Sequence, residues 1–316
     1  MLDARMRRRH KLRNAAQGTL LFGGMLGILA LLAWVVFGPV GILWVLLVGA
    51  FTLALRPRVP PSWQLSMYGA KPLPAAVAPQ LHHIVDVLTD RAALVSAPEI
   101  HVVRSPMLNA FAVGRPAASA LAVTDGLLRG LSSRELVGVL AHEVSHIRAD
   151  DLWIMNLSDT VGRATHALAY AGALLLILAL PATAERGPSP LLVALILVSA
   201  PTLVTLLQLA LSRSREYDAD LEAAVMTGDP VGLAAALVRL ERSEGRIWER
   251  TMVPHRRTPD PLLLRTHPPT DERVHRLLEL RPPTDHRPMG DGRPIPVSGR
   301  SRTEDSVRLR RPGIRW

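Results

Sequence analysis

Apolar residues in this chain gather into long uncharged runs separated by short polar segments. From Gly18 to Leu55 no residue carries a charge. As one helix at 1.5 Å per residue that run would reach about 57 Å, nearly twice the hydrocarbon thickness of a bilayer, so it has to turn. Gly38-Pro39-Val40-Gly41 supplies the break, which predicts one span near 18–37 and a shorter one, about 24 Å long, near 40–55. A cleaved signal peptide fits less well, because the run exceeds an h-region and a second run follows without an A-x-A site. Two further runs, 164–184 and 191–211, flank Glu185-Arg186-Gly187-Pro188-Ser189-Pro190. They read as a second membrane hairpin; both are near the minimum length for a span, so the alternative is a buried pair in a soluble core.

Between and after these runs the pattern changes. Glu99 to Arg104, Leu108 to Val113 and Ala118 to Thr124 are short β-compatible stretches, with a turn expected at Gly114-Arg115-Pro116. Ser132-Ser133-Arg134-Glu135 has the form of a capping box, and Leu136, Val137, Val139, Leu140, Val144 and Ile147 continue it at helical spacing. Asp229-Pro230 opens an amphipathic helix through Leu240. Thr270 is expected to cap a helix carrying Asp271, Glu272, Arg273 and Leu277. The fold class is therefore mainly α with a small β-sheet: four transmembrane helices in two hairpins plus a domain made of the segments between and after them.

Charge decides the orientation. The net charge of +10 sits at the two ends. Residues 1–16 hold six basic residues against one acid, and residues 281–316 hold nine arginines against four acids. Everything between is neutral overall, so no basic patch for nucleic acid is expected, and anionic lipid headgroups suit both ends better. Arginines follow the second and fourth runs at 56, 58, 213 and 215. The positive-inside rule then puts the N-terminus, residues 56–163 and everything after 212 in the cytoplasm of a cell whose inner or plasma membrane holds the chain. The expected divisions are a basic N-terminus (1–16), a first hairpin (17–55), a first extramembrane part (56–163), a second hairpin (164–211), a second extramembrane part (212–280) and an Arg/Pro-rich disordered tail (281–316).

The chain has no cysteine, so a metal site must be built from His, Asp or Glu. His142-Glu143-Val144-Ser145-His146 lies inside the capped helix. Two histidines four apart project from one face, where both imidazoles can reach one ion, and Glu143 stands beside them free to take a proton from water. A third ligand is required. Position 152 is leucine, which excludes the metzincin histidine. Ser212-Arg213-Ser214-Arg215-Glu216-Tyr217-Asp218-Ala219-Asp220 follows the fourth run. Glu216 can complete the set, and Asp220, one turn on, can accept a hydrogen bond from a ligand histidine. An even number of crossings brings Glu216 back to the side of His146. Asp150 and Asp151 are rivals for third ligand that would strain the shared helix. Arg273 or His267, the latter just before Pro268-Pro269, is a candidate cationic donor to an oxyanion.

These segments resemble the M48 metallopeptidases, the HtpX type more than the prenyl-protein Ste24 type. The matching stretches are Asn109 to Gly114, Val123 to Leu127, Val139 to Ile147, Asp151, Ser212 to Asp220 and Thr266 to Arg273, in order, from about 97 to 280. The resemblance implies one Zn2+ per chain on His142, His146 and Glu216, Glu143 as general base, and substrate contact by Asn109. It implies a membrane zinc endopeptidase acting on exposed segments of membrane or misfolded proteins, with the bilayer and peptide substrates as partners, and makes 56–163 and 212–280 the two parts of a cytoplasmic zincin (gluzincin-like) catalytic domain. The alternatives are a protease for lipidated C-termini and a non-catalytic membrane adaptor. The basic N-terminus and the tail after 281 fall outside the resemblance.

Overall fold

A computed structural model of the chain describes residues 4–55, 60–183, 189–251 and 269–280. His267 and the tail after 281 lie outside the described residues. The described chain is mainly helical, with one small mixed sheet.

Helix α1 (Ala4–Phe37) ends where Gly38 takes φ +65, and α2 (Pro39–Leu55) leaves with proline at its first position, where a missing N–H costs nothing. Helix α7 (Asp151–Thr183) and α8 (Pro190–Thr227) form the other apolar pair. Three stretches are long and apolar enough to cross a bilayer, Ala16–Phe37, Asp151–Leu178 and Pro190–Thr227, while the apolar part of α2 is shorter. Met25, Leu29 and Leu32 of α1 are buried with Val161 and Ala169 of α7 and Leu197 and Val204 of α8. Trp44, Leu46, Phe51, Leu178 and Val198 point outward and exposed, as side chains meeting hydrocarbon should.

Hydropathy and helix ends disagree here for a physical reason. The apolar run 191–211 stops at Ser212, yet α8 continues to Thr227 as one helix of 38 residues. Hydropathy reports the solvent around a helix, whereas backbone bonds continue wherever helix-forming residues such as Arg215, Glu216, Leu221, Glu222 and Ala223 allow. The helix that is long and apolar enough to cross a bilayer is thereby the same continuous helix that carries Glu216 and Asp220.

Helices α3 (Pro61–Met67), α4 (Pro79–Ala92) and α5 (Asp125–Gly130) and strand β1 (Lys71–Pro72) had no counterpart in the sequence reading. The remaining strands are β2 (Glu99–Val103), β3 (Ala110–Arg115) and β4 (Ala118–Thr124). Their order is β1-β2-β4-β3, with β2 and β4 parallel and the other pairs antiparallel, so β3 is an edge. The turn is tighter than expected. Gly114 and Arg115 still pair with Ser119 and Ala118, which leaves the reversal to Pro116-Ala117, with Gly114 at φ +97.

Alternation along the strands sorts their side chains by face. Leu121 and Val123 join Ala112 in a core with α4, α6 (Ser133–Ala149), α9 (Pro230–Thr251) and the end of α8. Phe111, Val113, Ala120 and Ala122 face the other way, onto Leu65 of α3. Helix α10 (Thr270–Glu279) inserts Leu277 into the first core. Thr270 is its first residue and makes no capping bond; Pro269 holds the cap position, a correction to the sequence reading.

Candidate metal centre

Helix α6 begins as its sequence dictates. The Ser132 hydroxyl accepts the Glu135 N–H, and the Glu135 carboxylate accepts the Ser132 N–H at 2.7 Å, so two otherwise orphaned donors are satisfied. Leu136, Leu140, Val144 and Ile147 anchor one face in the core. Gly138 lets α9 approach closely, since a Cβ there would lie 2.9 Å from Leu233 Cα. Asp150, at φ +53, ends the helix. Burial of this frame leaves His142 and Glu143 lining a cleft, with His146 one turn on from His142.

Three donor atoms converge. The two Nε2 atoms of His142 and His146 stand 3.2 Å apart. Glu216 Oε2 is 3.4 Å from His142 Nε2, and Oε1 is 3.6 Å from His146 Nε2. Ligands about 2.0–2.1 Å from a tetrahedral ion lie about 3.3–3.4 Å from each other, so the two imidazole nitrogens and the Glu216 carboxylate, one oxygen toward each ring, stand close to the spacing of ligands around one ion. His142 and Glu216 are buried and His146 nearly so.

The opposite ring nitrogens each face a carboxylate. His142 Nδ1 lies 3.0 Å from Asp220 Oδ1, and His146 Nδ1 lies 3.0 Å from Asp151 Oδ2. A proton on each Nδ1 leaves each Nε2 lone pair aimed at the common point, as metal-binding histidines require. Asp151 is not among the clustered donors. It supports His146 from behind, a role the sequence reading missed because it depends on the left-handed break at Asp150. Arg215 reaches within 3.5 Å of the other Asp151 oxygen.

The field at the site favours positive charge. Burial opposes protonation of His142, but hydrogen bonding to Asp220 and Glu216 outweighs it and pushes the ring up to about 10. For His146, burial is likewise outweighed, by Asp151, and the shift is upward. Two imidazolium rings with nitrogens 3.2 Å apart would repel, whereas a shared divalent cation satisfies the same field. The donor set therefore fits a metal ion.

Glu143 is turned so that its Oε2 accepts the Ala112 N–H of edge strand β3 at 3.1 Å. That contact was not legible in sequence, since it depends on how the sheet docks against α6. Arg273 is buried and donates to both Asp220 oxygens at 2.7 Å, with Nη1 3.3 Å from Glu216. Burial opposes its charge, yet Asp220 and Glu216 raise its pKa further. Asn109 lines the cleft with His142, Glu143, Leu233, Leu237 and Arg273.

Fold and site define a metallopeptidase built on apolar helices of membrane length. The chain belongs to peptidase family M48, whose pattern matches residues 75–281. It is 40% identical to a protease HtpX homolog of Acidiphilium cryptum over 232 residues, 68% of this chain and 79% of that one. A second protease HtpX homolog, from Aquifex aeolicus, is 36% identical over 269 residues, covering 80% of this chain and 89% of the relative. The crystal structure of S. mikatae Ste24p aligns at 20% identity over 86% of this chain and 66% of that one, just under two thirds of its length, with a TM-score of 0.46.

Proposed function

We propose that the chain is a zinc-dependent endopeptidase of a cell membrane, with His142, His146 and Glu216 as the ligands and Glu143 as the general base. The convergence of His142 Nε2, His146 Nε2 and the Glu216 carboxylate at ligand-to-ligand spacing carries this reading. Bound zinc would supply Lewis acidity, lowering the pKa of a water and polarising a peptide carbonyl. The chain's own residues do the rest. Asp220 and Asp151 hold the two imidazole tautomers. The Ala112 amide anchors one Glu143 oxygen and leaves the other to take a proton from water and return it to the leaving amine. Asn109, in the cleft beside the β3 edge, is placed to orient an extended peptide. Arg273 compensates the two buried carboxylates, and its place in the cleft lining also suits it to a developing oxyanion. His267 remains a second candidate for that role on sequence grounds.

The substrates proposed are exposed or unfolded segments of membrane proteins, by analogy with the HtpX type. Four crossings, with α2 as the short one, and arginines after the second and fourth runs support an active site in the cytoplasm. The test is digestion of casein by purified full-length protein in detergent. Cleavage stopped by a chelator and restored by zinc supports the reading; no chelator-sensitive cleavage would instead indicate a non-catalytic adaptor.

A further inference from the structure

Helix α3 is short, and its two faces differ. Leu65 is buried against the sheet, whereas Trp63 and Met67, one turn apart on the opposite face, are 62% and 68% exposed. Outside the four apolar helices, Trp63, Met67, Val95 and Leu278 are the large apolar side chains exposed among the described residues. Val95 and Leu278 stand singly, as is common on any surface. Trp63 and Met67 form a pair, and a tryptophan with an apolar body and a polar N–H suits the boundary between hydrocarbon and water.

Two independent features place this pair near the bilayer. Leu55, the last residue of α2, is six residues before Pro61, which allows at most about 22 Å of extended chain. The sequence between them, Arg56-Pro57-Arg58-Val59-Pro60, brings two cations suited to lipid phosphates. From the other side, α3 packs on β3, where a Cβ on Gly114 would meet Pro61 Cγ at 2.9 Å. Strand β3 in turn touches α7, whose membrane-length stretch starts at Asp151. Thus α3 is tied to one apolar helix by the chain and to another through the sheet.

We infer that α3 is an interfacial foot whose Trp63 and Met67 side chains sit among the lipid headgroups and hold β3, with the mouth of the cleft, against the membrane surface. The cleft then faces chain segments that emerge close to the bilayer, ahead of distant soluble ones. A protein partner on the same face would cover the two side chains without lipid.

The chain has no cysteine, so a single introduced one can be labelled cleanly. Full-length Met67→Cys, Trp63→Cys and Val95→Cys proteins, each carrying a nitroxide, are placed in vesicles of phosphatidylethanolamine and phosphatidylglycerol. All three side chains are exposed, so the substitutions leave the core untouched. Collision with oxygen and with a water-soluble nickel chelate is measured by electron paramagnetic resonance. The inference expects labels at 63 and 67 to favour oxygen several-fold over nickel relative to the label at 95. Nickel access equal to that at 95 would overturn it, as would shielding from both reagents, which would signify a protein contact.

Discussion

Arg273 grips Asp220 with two hydrogen bonds of 2.7 Å, joining α10 to α8 between residues 53 positions apart in the chain. The pair lies behind the metal centre. Asp220 supports His142, and the same guanidinium neutralises Glu216, so α10 acts on a ligand helix it does not share.

Removing that guanidinium would strand two buried carboxylates. Arg273→Ala is expected to cost about 3–5 kcal/mol of stability and to weaken zinc binding about 10–100-fold. Thermal unfolding and competition with a zinc indicator read the two effects. Retained affinity with lost activity would instead assign Arg273 to the substrate side alone.

Glu143 contributes no ligand atom to the converging set, so chemistry and metal retention should separate there. Glu143→Gln is expected to lower the casein cleavage rate at least about 100-fold while one zinc per chain stays bound. Glu216→Gln should lose both together.

Some of this was legible from local rules, and some was not. Ser132 and Glu135, the histidine spacing and the reach of Glu216 and Asp220 follow from helical periodicity and from two apolar helices, α7 and α8, that lead the chain away from the site and back. The Ala112 amide on Glu143 and Asp151 behind His146 depend on sheet docking and on one left-handed residue, neither of which periodicity encodes. Arg273 was read from sequence as an oxyanion donor, because a cation after a proline pair shows nothing of the buried carboxylates it will meet. The apolar runs 164–184 and 191–211 are shorter than α7 and α8 because hydropathy marks where the surroundings change, and the backbone bonds continue past that point.

The close approach of α6 to α9 is equally specific. Gly138→Ala would put a methyl 2.9 Å from Leu233 Cα, a backbone atom that cannot swing aside. Overpacking of this kind costs about 1–3 kcal/mol, and the melting temperature should fall accordingly. Wild-type melting would show that α9 shifts freely, and that the cleft wall formed by Leu233 and Leu237 is soft.

Asp229 caps α9 through the Gly232 N–H at 3.0 Å and takes two hydrogen bonds from Arg134. Burial works against its charge, but Arg134 outweighs that and holds the carboxyl below the usual range. A folded pKa below the unfolded value of about 3.9 means the stabilisation is whole above that pH and is lost as acid protonates the group. In chelated protein, Asp229→Asn keeps an acceptor for the Gly232 N–H but loses the charge facing Arg134, so it should be less stable than wild type at neutral pH by about 1 kcal/mol, and the gap should close below about pH 4. A gap independent of pH would contradict the charged role.

The metal centre itself can be examined directly by X-ray absorption at the zinc edge on purified full-length protein. Two imidazole nitrogens and carboxylate oxygen at about 2.0–2.1 Å, with the imidazole scattering lost in His142→Ala/His146→Ala, are the predicted result. A spectrum unchanged by that double substitution, or protein that takes up no zinc at all, would contradict the account.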